Sequence, residues 1–296
     1  MITIQKYVRA KTLEEAYTLN QNKRNRIVGG MRWMRLGSGS VGTAIDLCDL
    51  DLDKIEENEE SFILGAMVSL RALEQHEGLN AYTNGALKNA LKDIVGVQFR
   101  NMATVGGSIW GRFGFSDVLT VLLAMDTYVE LYKGGTVSLE EFVKMKYDND
   151  LLVRVIIKKS PIRIVYTSMR NQRTDFPVLA CAVSCVSGEY RASIGARPAK
   201  AMLLRDENGL LAQGVTKESA KDFAKYVSEH TPTAKNLRGS AEYRSHLTRV
   251  LTERSVNQGN EADQGQIRRS GSRSGLPYGK GQSRARSSRG GLVPAL

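Results

Sequence analysis

The apolar and polar positions of residues 1–160 predict short strands and helices in two α/β groups. The first group has strands at 2–10, 26–28 and 44–47. Thr12 precedes a short helix as its N-cap, and Glu15 stands at the reciprocal capping position. The second group has strands at 61–65 and 128–132 and helices at 67–76, 86–95 and 117–124. We therefore predict two small α/β lobes, at 1–56 and 57–160.

A different pattern begins near Asp150, where runs rich in β-branched residues follow one another. The runs are LLVRVIIKK, PIRIVYTSM, VLACAVSCV and YRASIGA, separated by Pro161, Pro177 and Ser187-Gly188. Consecutive runs of this kind predict an antiparallel sheet. Helices predicted at 217–229, with Thr216 as N-cap, and at 240–251 complete an α+β domain over 161–254.

The composition changes again after residue 254, where Gly, Ser, Arg and Gln replace nearly all aliphatic residues. Such a segment buries too little surface to offset the entropy of ordering, so we expect 255–296 to be a disordered basic tail. It holds seven Arg or Lys and two acidic residues, and thus +5 of the net charge of +11. The remaining charge of +6, spread over residues 1–254, is weak evidence for nucleic-acid binding. RNA binding by the tail is the least favoured hypothesis.

The three cysteines are too few to hold an iron-sulfur cluster of four thiolates within this chain. Cys181 and Cys185 lie in an apolar run and are expected to be buried structural thiols rather than metal ligands. No apolar run is long enough to cross a bilayer, and the N-terminus lacks the apolar core of a signal peptide. We expect a cytoplasmic protein without a metal site of its own.

Two glycine turns carry the candidate chemistry, Val28-Gly29-Gly30 and Val105-Gly106-Gly107. Without a Cβ, paired glycines let backbone N–H groups converge on an anion such as a phosphate. Either turn alone is more typical of an ordinary corner between a strand and a helix. Their shared design and their neighbours give them weight together.

Those neighbours resemble a known family. Residues 27–34, IVGGMRWM, resemble its first flavin loop, Leu-Ala-Gly-Gly-Thr-Asp-Leu, and residues 98–109, QFRNMATVGGSI, resemble its second, Ile-Arg-Asn-x-Ala-Thr-x-Gly-Gly-Asn-Ile. Asp117 stands nine residues after Ser108, like the family's Asp before a Leu-Leu-x-Ala-Leu helix. The family is the FAD-binding subunit of molybdopterin-dependent hydroxylases, such as the medium subunits of xanthine dehydrogenase and carbon monoxide dehydrogenase. The resemblance covers Ile4 to about Glu253.

The resemblance implies an α+β fold in which the two α/β lobes form a PCMH-type FAD-binding domain before the C-terminal domain. It implies that the first loop binds the FAD pyrophosphate and that residues 104–108 support phosphate and ribose. It also implies that Asp117 accepts a hydrogen bond from the adenosine or ribitol side and that Leu152 lines the flavin. The implied cofactor-binding residues are Ile27, Val28, Gly29, Gly30, Met31, Arg32, Trp33, Met34, Thr104, Val105, Gly106, Gly107, Ser108, Asp117 and Leu152. Trp33 and Trp110 follow the two turns, where each can cover a ring of the cofactor or pack in the core.

The implied function is electron transfer. A molybdopterin-binding large subunit supplies electrons to the iron-sulfur clusters of a 2Fe-2S small subunit, and from these clusters the electrons pass through FAD to an acceptor such as NAD or oxygen. No side chain of this chain would act as catalytic acid or nucleophile. Met31-Arg32 replaces the family's Thr-Asp, Ser108 replaces Asn, and residues 166–168 lack the Lys of some relatives, for which Arg170 or Arg163 can compensate. These departures leave two alternatives open: a scaffold or assembly subunit that has lost FAD, and a stand-alone flavin oxidoreductase.

Overall fold

A computed structural model of the chain describes the backbone of residues 1–271 and the side chains of residues 1–262. Met1–Asn260 form one compact unit, to which the following description applies. Among the described helices, none combines the length and the apolar character needed to cross a bilayer.

The first lobe is a three-stranded parallel sheet with one helix packed on it. Its elements are β1 (Ile2–Arg9), α1 (Leu13–Asn20), β2 (Arg26–Val28), a single 3-10 turn (Met34–Leu36) and β3 (Gly39–Asp46). The strand order is β1-β3-β2, so β3 is central. Thr12 caps α1 as predicted, because its hydroxyl accepts from the Glu15 N–H. The three strands and the helix of the first group are thereby confirmed.

The second lobe is a five-stranded antiparallel sheet with helices packed against it. Its strands are β4 (Ile55–Glu57), β5 (Ser61–Gly65), β6 (Thr127–Leu131), β7 (Gly135–Ser138) and β8 (Leu152–Lys158), in the order β4-β5-β8-β6-β7. Its helices are α2 (Leu70–Gln75), α3 (Glu77–Tyr82), α4 (Ala86–Leu91), α5 (Val97–Met102), α6 (Val105–Trp110), α7 (Asp117–Leu123) and α8 (Leu139–Lys144). The helices predicted at 67–76, 86–95 and 117–124 are present in shorter form.

Two sequence expectations for this lobe are corrected. β4 begins at Ile55 and pairs with β5, so the lobe starts before residue 57. The run LLVRVIIKK falls inside the predicted lobe 57–160, but its β-branched pattern groups it with the C-terminal strands; as β8 it lies between β5 and β6. Its apolar residues reach the second lobe's core, where Val155 and Ile157 are fully buried. Periodicity reveals a strand, whereas the partner strands depend on contacts distant in sequence.

The C-terminal domain is a four-stranded antiparallel sheet covered by two helices. Its elements are β9 (Ile162–Arg170), β10 (Pro177–Val186), β11 (Glu189–Gly195), β12 (Met202–Arg205), α9 (Lys217–Glu229) and α10 (Ala241–Gly271). The strand order is β12-β11-β10-β9, which confirms the predicted antiparallel sheet. Thr216 caps α9 as predicted, accepting from the Ser219 N–H.

β10 is buried along its whole length because both of its faces are covered. Ala180 and Ala182 pack in the core that α7 shares with the second lobe, whereas Cys181 and Val183 pack against the helices α9 and α10. Cys181 is fully buried and Cys185 nearly so, as expected of structural thiols. Burial raises the pKa of the Cys181 thiol to about 12, which makes it a poor nucleophile.

The predicted start of a disordered tail at residue 255 is wrong. α10 continues to Gly271, and Ser255 and Val256 are both buried. Val256 packs in the core of the C-terminal domain and thereby holds this turn of the helix against the domain. Residues 272–296 lie outside the described residues.

An ion pair joins α8 to β12 and gives a testable pH dependence. Arg205 Nη2 lies 2.7 Å from Glu140 Oε2 and, together with Lys144, lowers the pKa of Glu140 from 4.5 to about 2. A carboxyl whose pKa is lowered in the folded chain stabilises the fold at pH values above its ordinary pKa. This stabilisation is lost as the pH falls through about 2. Glu140→Gln should cost about 1 kcal/mol at about pH 7, because the pair is partly solvated, and clearly less at about pH 2, where about half of the carboxyl is protonated in the folded chain.

Urea unfolding at both pH values measures the difference between wild type and Glu140→Gln. The exposed α9 residue Asp222 supplies the control, since Asp222→Asn removes an acid without removing this pair. An equal loss of stability at both pH values would show that the contribution of Glu140 is not electrostatic.

Candidate functional site

The two glycine loops pack directly against each other, and this contact requires glycine. A Cβ on Gly30 would lie 1.5 Å from the carbonyl oxygen of Met102, and one on Gly29 would lie 2.7 Å from Thr104 Oγ1. Neither distance is possible for a real side chain. The backbone at Met102 and the side chain of Thr104 therefore form the floor of the first loop, that is, the surface against which Gly29 and Gly30 pack.

The first loop presents unpaired backbone donors. Within the described part of the chain, no backbone or side-chain acceptor was found for the N–H groups of Gly29, Gly30, Met31 and Arg32. Met31 adopts a left-handed conformation with φ of 52°, which is unusual for a residue with a side chain. Arg32 Nε donates to the carbonyl of Gly30 at 2.8 Å and so braces the turn. Successive N–H groups in such a turn form a concave site for an anion.

The second loop differs from expectation, because it is the first turn of α6. Thr104 caps this helix, accepting from the Gly107 N–H at 3.1 Å. The N–H groups of Val105 and Gly106 donate to the carbonyls of Val68 and Ala66, both at 2.8 Å, and the Ser108 N–H donates to the carbonyl of Thr104. The backbone donors of 105–108 are thus used inside the protein, and the predicted convergence of these N–H groups on an anion is wrong.

A cleft of about 310 Å³ lies on one side of the loops. Six aromatic residues form much of its wall: Trp33, Phe99, Trp110, Phe113, Phe115 and Phe176. The Trp33 ring lies 5.0 Å from that of Phe115 and 5.2 Å from that of Phe176, measured between centroids. Of the predicted site residues, the cleft contains Ile27, Gly29, Gly30, Met31, Arg32, Trp33, Met34, Thr104, Gly107, Ser108 and Asp117. We call this the first cleft.

A buried ion pair lines the first cleft. Arg170 Nη2 lies 2.7 Å from Asp117 Oδ1, and the side chains are 9% and 5% exposed. The Tyr166 hydroxyl donates to the same carboxylate oxygen. Burial raises the pKa of Asp117, while the Arg170 charge and the Tyr166 hydrogen bond oppose that rise. Arg170 thus brings a cation to the cleft in place of the missing Lys, whereas Arg163 lies beside Tyr190 instead.

A second cleft, of about 550 Å³, lies between the first two lobes. It shares six residues with the first cleft: Ile27, Gly29, Met34, Thr104, Gly107 and Trp110. The two clefts therefore meet at the glycine loops. Leu152 and Gly106 line this second cleft and not the first. An elongated ligand that crosses the loops would have one end in each cleft.

Two predicted site residues are structural. The side chains of Val28 and Val105 are 2% and 0% exposed and line neither cleft. Arg100, from the Arg-Asn-x-Ala-Thr segment, is also buried, and its Nε lies 2.7 Å from Glu74 Oε2. This ion pair ties α5 to α2 and so holds the floor beneath the first loop.

Sequence reasoning missed part of the first cleft's wall. Phe113 and Phe115 stand two residues apart between Gly111 and Asp117, a cluster of aromatic residues close to a glycine turn that signals a ring surface. Their ring planes are nearly parallel, 6° apart, with centroids at 5.2 Å. Phe176 joins them from the C-terminal domain, and nothing local in the sequence indicates that contact.

Comparison with known proteins assigns the family. Residues 2–160 match the family described as "FAD binding domain in molybdopterin dehydrogenase", and residues 164–258 match "CO dehydrogenase flavoprotein C-terminal domain". The chain belongs to the FAD-binding subunits of the molybdenum hydroxylases. FAD is the cofactor of this family, and the chain is an oxidoreductase subunit.

Two relatives illustrate the range of the family. The Escherichia coli K12 protein YgfM is 29% identical over 254 residues, which are 84% of this chain and 93% of that one. The glyceraldehyde dehydrogenase medium chain of Sulfolobus acidocaldarius is 24% identical over 274 residues, 83% of this chain and 95% of that one.

Solved structures share the fold. Carbon monoxide dehydrogenase of Hydrogenophaga pseudoflava superposes with a TM-score of 0.78 at 22% identity, covering 87% of this chain and 97% of that one. Quinoline 2-oxidoreductase of Pseudomonas putida 86 gives 0.77 at 18% identity with the same coverage. The predicted α+β fold, with two lobes and a C-terminal domain, is confirmed.

The donors and walls of the two clefts fit FAD. Its pyrophosphate requires hydrogen-bond donors at the junction, where the first loop has free N–H groups and the Arg32 guanidinium. Its two ring systems require a flat apolar space on either side, and both clefts have volumes usual for ligand sites.

Proposed function

We propose that this chain is the FAD-binding electron-transfer subunit of a molybdenum hydroxylase, with a 2Fe-2S small subunit and a molybdopterin-binding large subunit as partners. Electrons would pass from the partner's clusters through FAD to an acceptor such as NAD or oxygen. The observation that carries this proposal is the meeting of two clefts at a loop with four unpaired N–H groups.

Each part of the site has a role in this proposal. The first loop binds the pyrophosphate, and Thr104 and Ser108 lie beside the part of the cofactor that adjoins it. Asp117 accepts a hydrogen bond from a hydroxyl or ring N–H of the cofactor. Leu152 forms an apolar wall of the second cleft. When bound, FAD supplies the redox chemistry, and the protein supplies binding, orientation and electrostatic tuning.

A second candidate, a scaffold subunit without FAD, is favoured by one observation. Trp33 contacts four phenylalanine rings in the first cleft, so part of the space next to the loop is filled by side chains. For FAD to bind as proposed, this aromatic cluster must either form the wall of the ring site or shift aside.

The acceptor step is tested on the purified FAD-loaded chain by anaerobic photoreduction and rapid mixing with NAD or oxygen. We expect the flavin absorption band to return with one of the two acceptors, faster than for free reduced FAD under the same conditions. Bound flavin that neither acceptor reoxidises would contradict the proposed step. Co-purification of the tagged chain from its native host tests the partners, which should bring molybdenum and iron in stoichiometric amounts.

A further inference from the structure

Tyr147 is an exposed aromatic residue held rigidly at the second cleft. It follows α8, its side chain lines the cleft, and the residue is 60% exposed. Its hydroxyl donates to the carbonyl of Gly111 at 2.8 Å, which fixes the ring at its far end. The Arg112 guanidinium lies 4.5 Å from the ring centroid and covers part of the ring.

Arg112 is an unusual support for an exposed ring. It is 3% exposed, and among the described residues no carboxylate lies within ion-pair distance of it, although the charge of Asp148 acts on it from farther away. Its guanidinium lies between the rings of Phe142, at 4.0 Å, and Tyr147, and it donates from Nη1 to the carbonyl of Met145 at 2.7 Å. Its Nε has no partner there.

The backbone at Arg112 is also strained, with φ of 42°. Strain of this kind in a residue with a side chain persists only where the surrounding contacts enforce it, and it often accompanies binding sites. The burial of the Arg112 cation without an ion-pair partner and the strain of its backbone both reduce the stability of the fold. What they hold in place is the ring of Tyr147.

The rest of the second cleft suits a flat heterocycle with polar edges. Met67 and Leu152 provide apolar surface, and the side chain of Asn20 provides an amide. Asn20 Nδ2 donates to the carbonyl of Asn149 at 2.8 Å, which fixes the direction of that amide. Its Oδ1 atom is then directed away from this bond and can accept from an amino group of a ligand.

We propose that Tyr147, braced by Arg112, is the stacking surface for the adenine of FAD. The inference rests on the proposed FAD site: with the pyrophosphate at the junction, the two rings of FAD lie in opposite clefts. Leu152 lines only the second cleft, so in this arrangement it lies beside the adenine and not beside the flavin ring that the resemblance implies. The first cleft has the charged pair Asp117–Arg170, and the second has the Asn20 amide, whose oxygen can accept from an adenine edge. A ring that is already fixed loses little conformational entropy when a base stacks on it.

The test compares FAD with FMN, which lacks the adenosine half. Tyr147→Ala should raise the Kd of FAD roughly 5- to 100-fold, the range usual for loss of one stacked base, and leave the Kd of FMN unchanged. Binding of ADP to the flavin-free chain should weaken by a similar factor. Tyr147→Phe keeps the ring and should hold the FAD affinity within about threefold of wild type.

Tyr7→Ala is the matched control, because Tyr7 has a similar exposure, 56%, and lies on β1 away from both clefts. It should change neither Kd. A Kd of FAD within about twofold of wild type in Tyr147→Ala would overturn the inference, and so would an equal loss of FMN affinity. If the wild-type chain binds no FAD at all, the proposed function fails instead, and the two failures are thereby distinguishable.

Discussion

Gly30→Ala should abolish measurable FAD binding, with a rise in Kd of about 100-fold or more, and should destabilise the chain by about 3 kcal/mol. The new methyl group would have to occupy the position of the Met102 carbonyl oxygen, only 1.5 Å from the ideal Cβ. The first loop must therefore move away from the second, taking its free N–H groups with it. Fluorescence titration with FAD and urea unfolding measure the two effects.

Gly96→Ala serves as the control for this substitution. Gly96 precedes α5 in the second lobe, and the nearest atom to a Cβ there is the flexible Gln98 side chain at 3.4 Å. FAD affinity should stay close to the wild-type value in this variant. If Gly30→Ala bound FAD as well as Gly96→Ala does, the close packing of the two loops would not be what positions the donors.

Arg170→Met should cost about 3–5 kcal/mol at neutral pH, because it leaves the Asp117 carboxylate buried without its cation. Burial already raises the pKa of Asp117, and loss of Arg170 should raise it further. For an acid with a raised pKa, stability is greatest below its ordinary value and falls as the pH rises through the shifted value. The defect of Arg170→Met should therefore shrink in acid, as urea unfolding against pH will show.

Two further variants separate this electrostatic effect from loss of packing. Asp117→Asn combined with Arg170→Met should recover part of the stability, because the uncompensated charge is gone. Arg173→Met removes an arginine of the same segment that pairs with Asp93 while its own side chain is 81% exposed, and it should cost less than about 1 kcal/mol. A defect in Arg170→Met that does not change with pH would contradict the charge argument.

Much of the fold is predictable from sequence because its signals are local. Thr12 and Thr216 are followed by helices whose first-turn N–H groups they cap. The β-branched run at 177–186 predicts a strand, and its burial on both faces follows from its apolar character. The place of β8 in the second lobe was not predictable in this way, because its partners β5 and β6 are distant in the chain.

The contact between the two loops was predictable from the sequence, whereas the hydrogen bonding of each loop was not. The resemblance of residues 27–34 and 98–109 indicated two loops that act together, and the structure brings them into contact. Which loop has free donors depends on acceptors elsewhere, since the carbonyls of Ala66 and Val68 take up the N–H groups of Gly106 and Val105. The first loop, despite its departure at Met31-Arg32, is therefore the half that we propose to bind the phosphate. No local pattern indicates the support that Arg112 gives to the ring of Tyr147.

The FAD content of the purified full-length chain tests the central claim most directly. The chain is incubated with excess FAD, passed through a desalting column and examined for flavin absorbance, with circular dichroism as proof of folding. The account predicts an equimolar amount of FAD in the wild-type chain and almost none in Gly30→Ala. A folded wild-type chain that remains colourless would contradict the FAD site and favour the scaffold alternative.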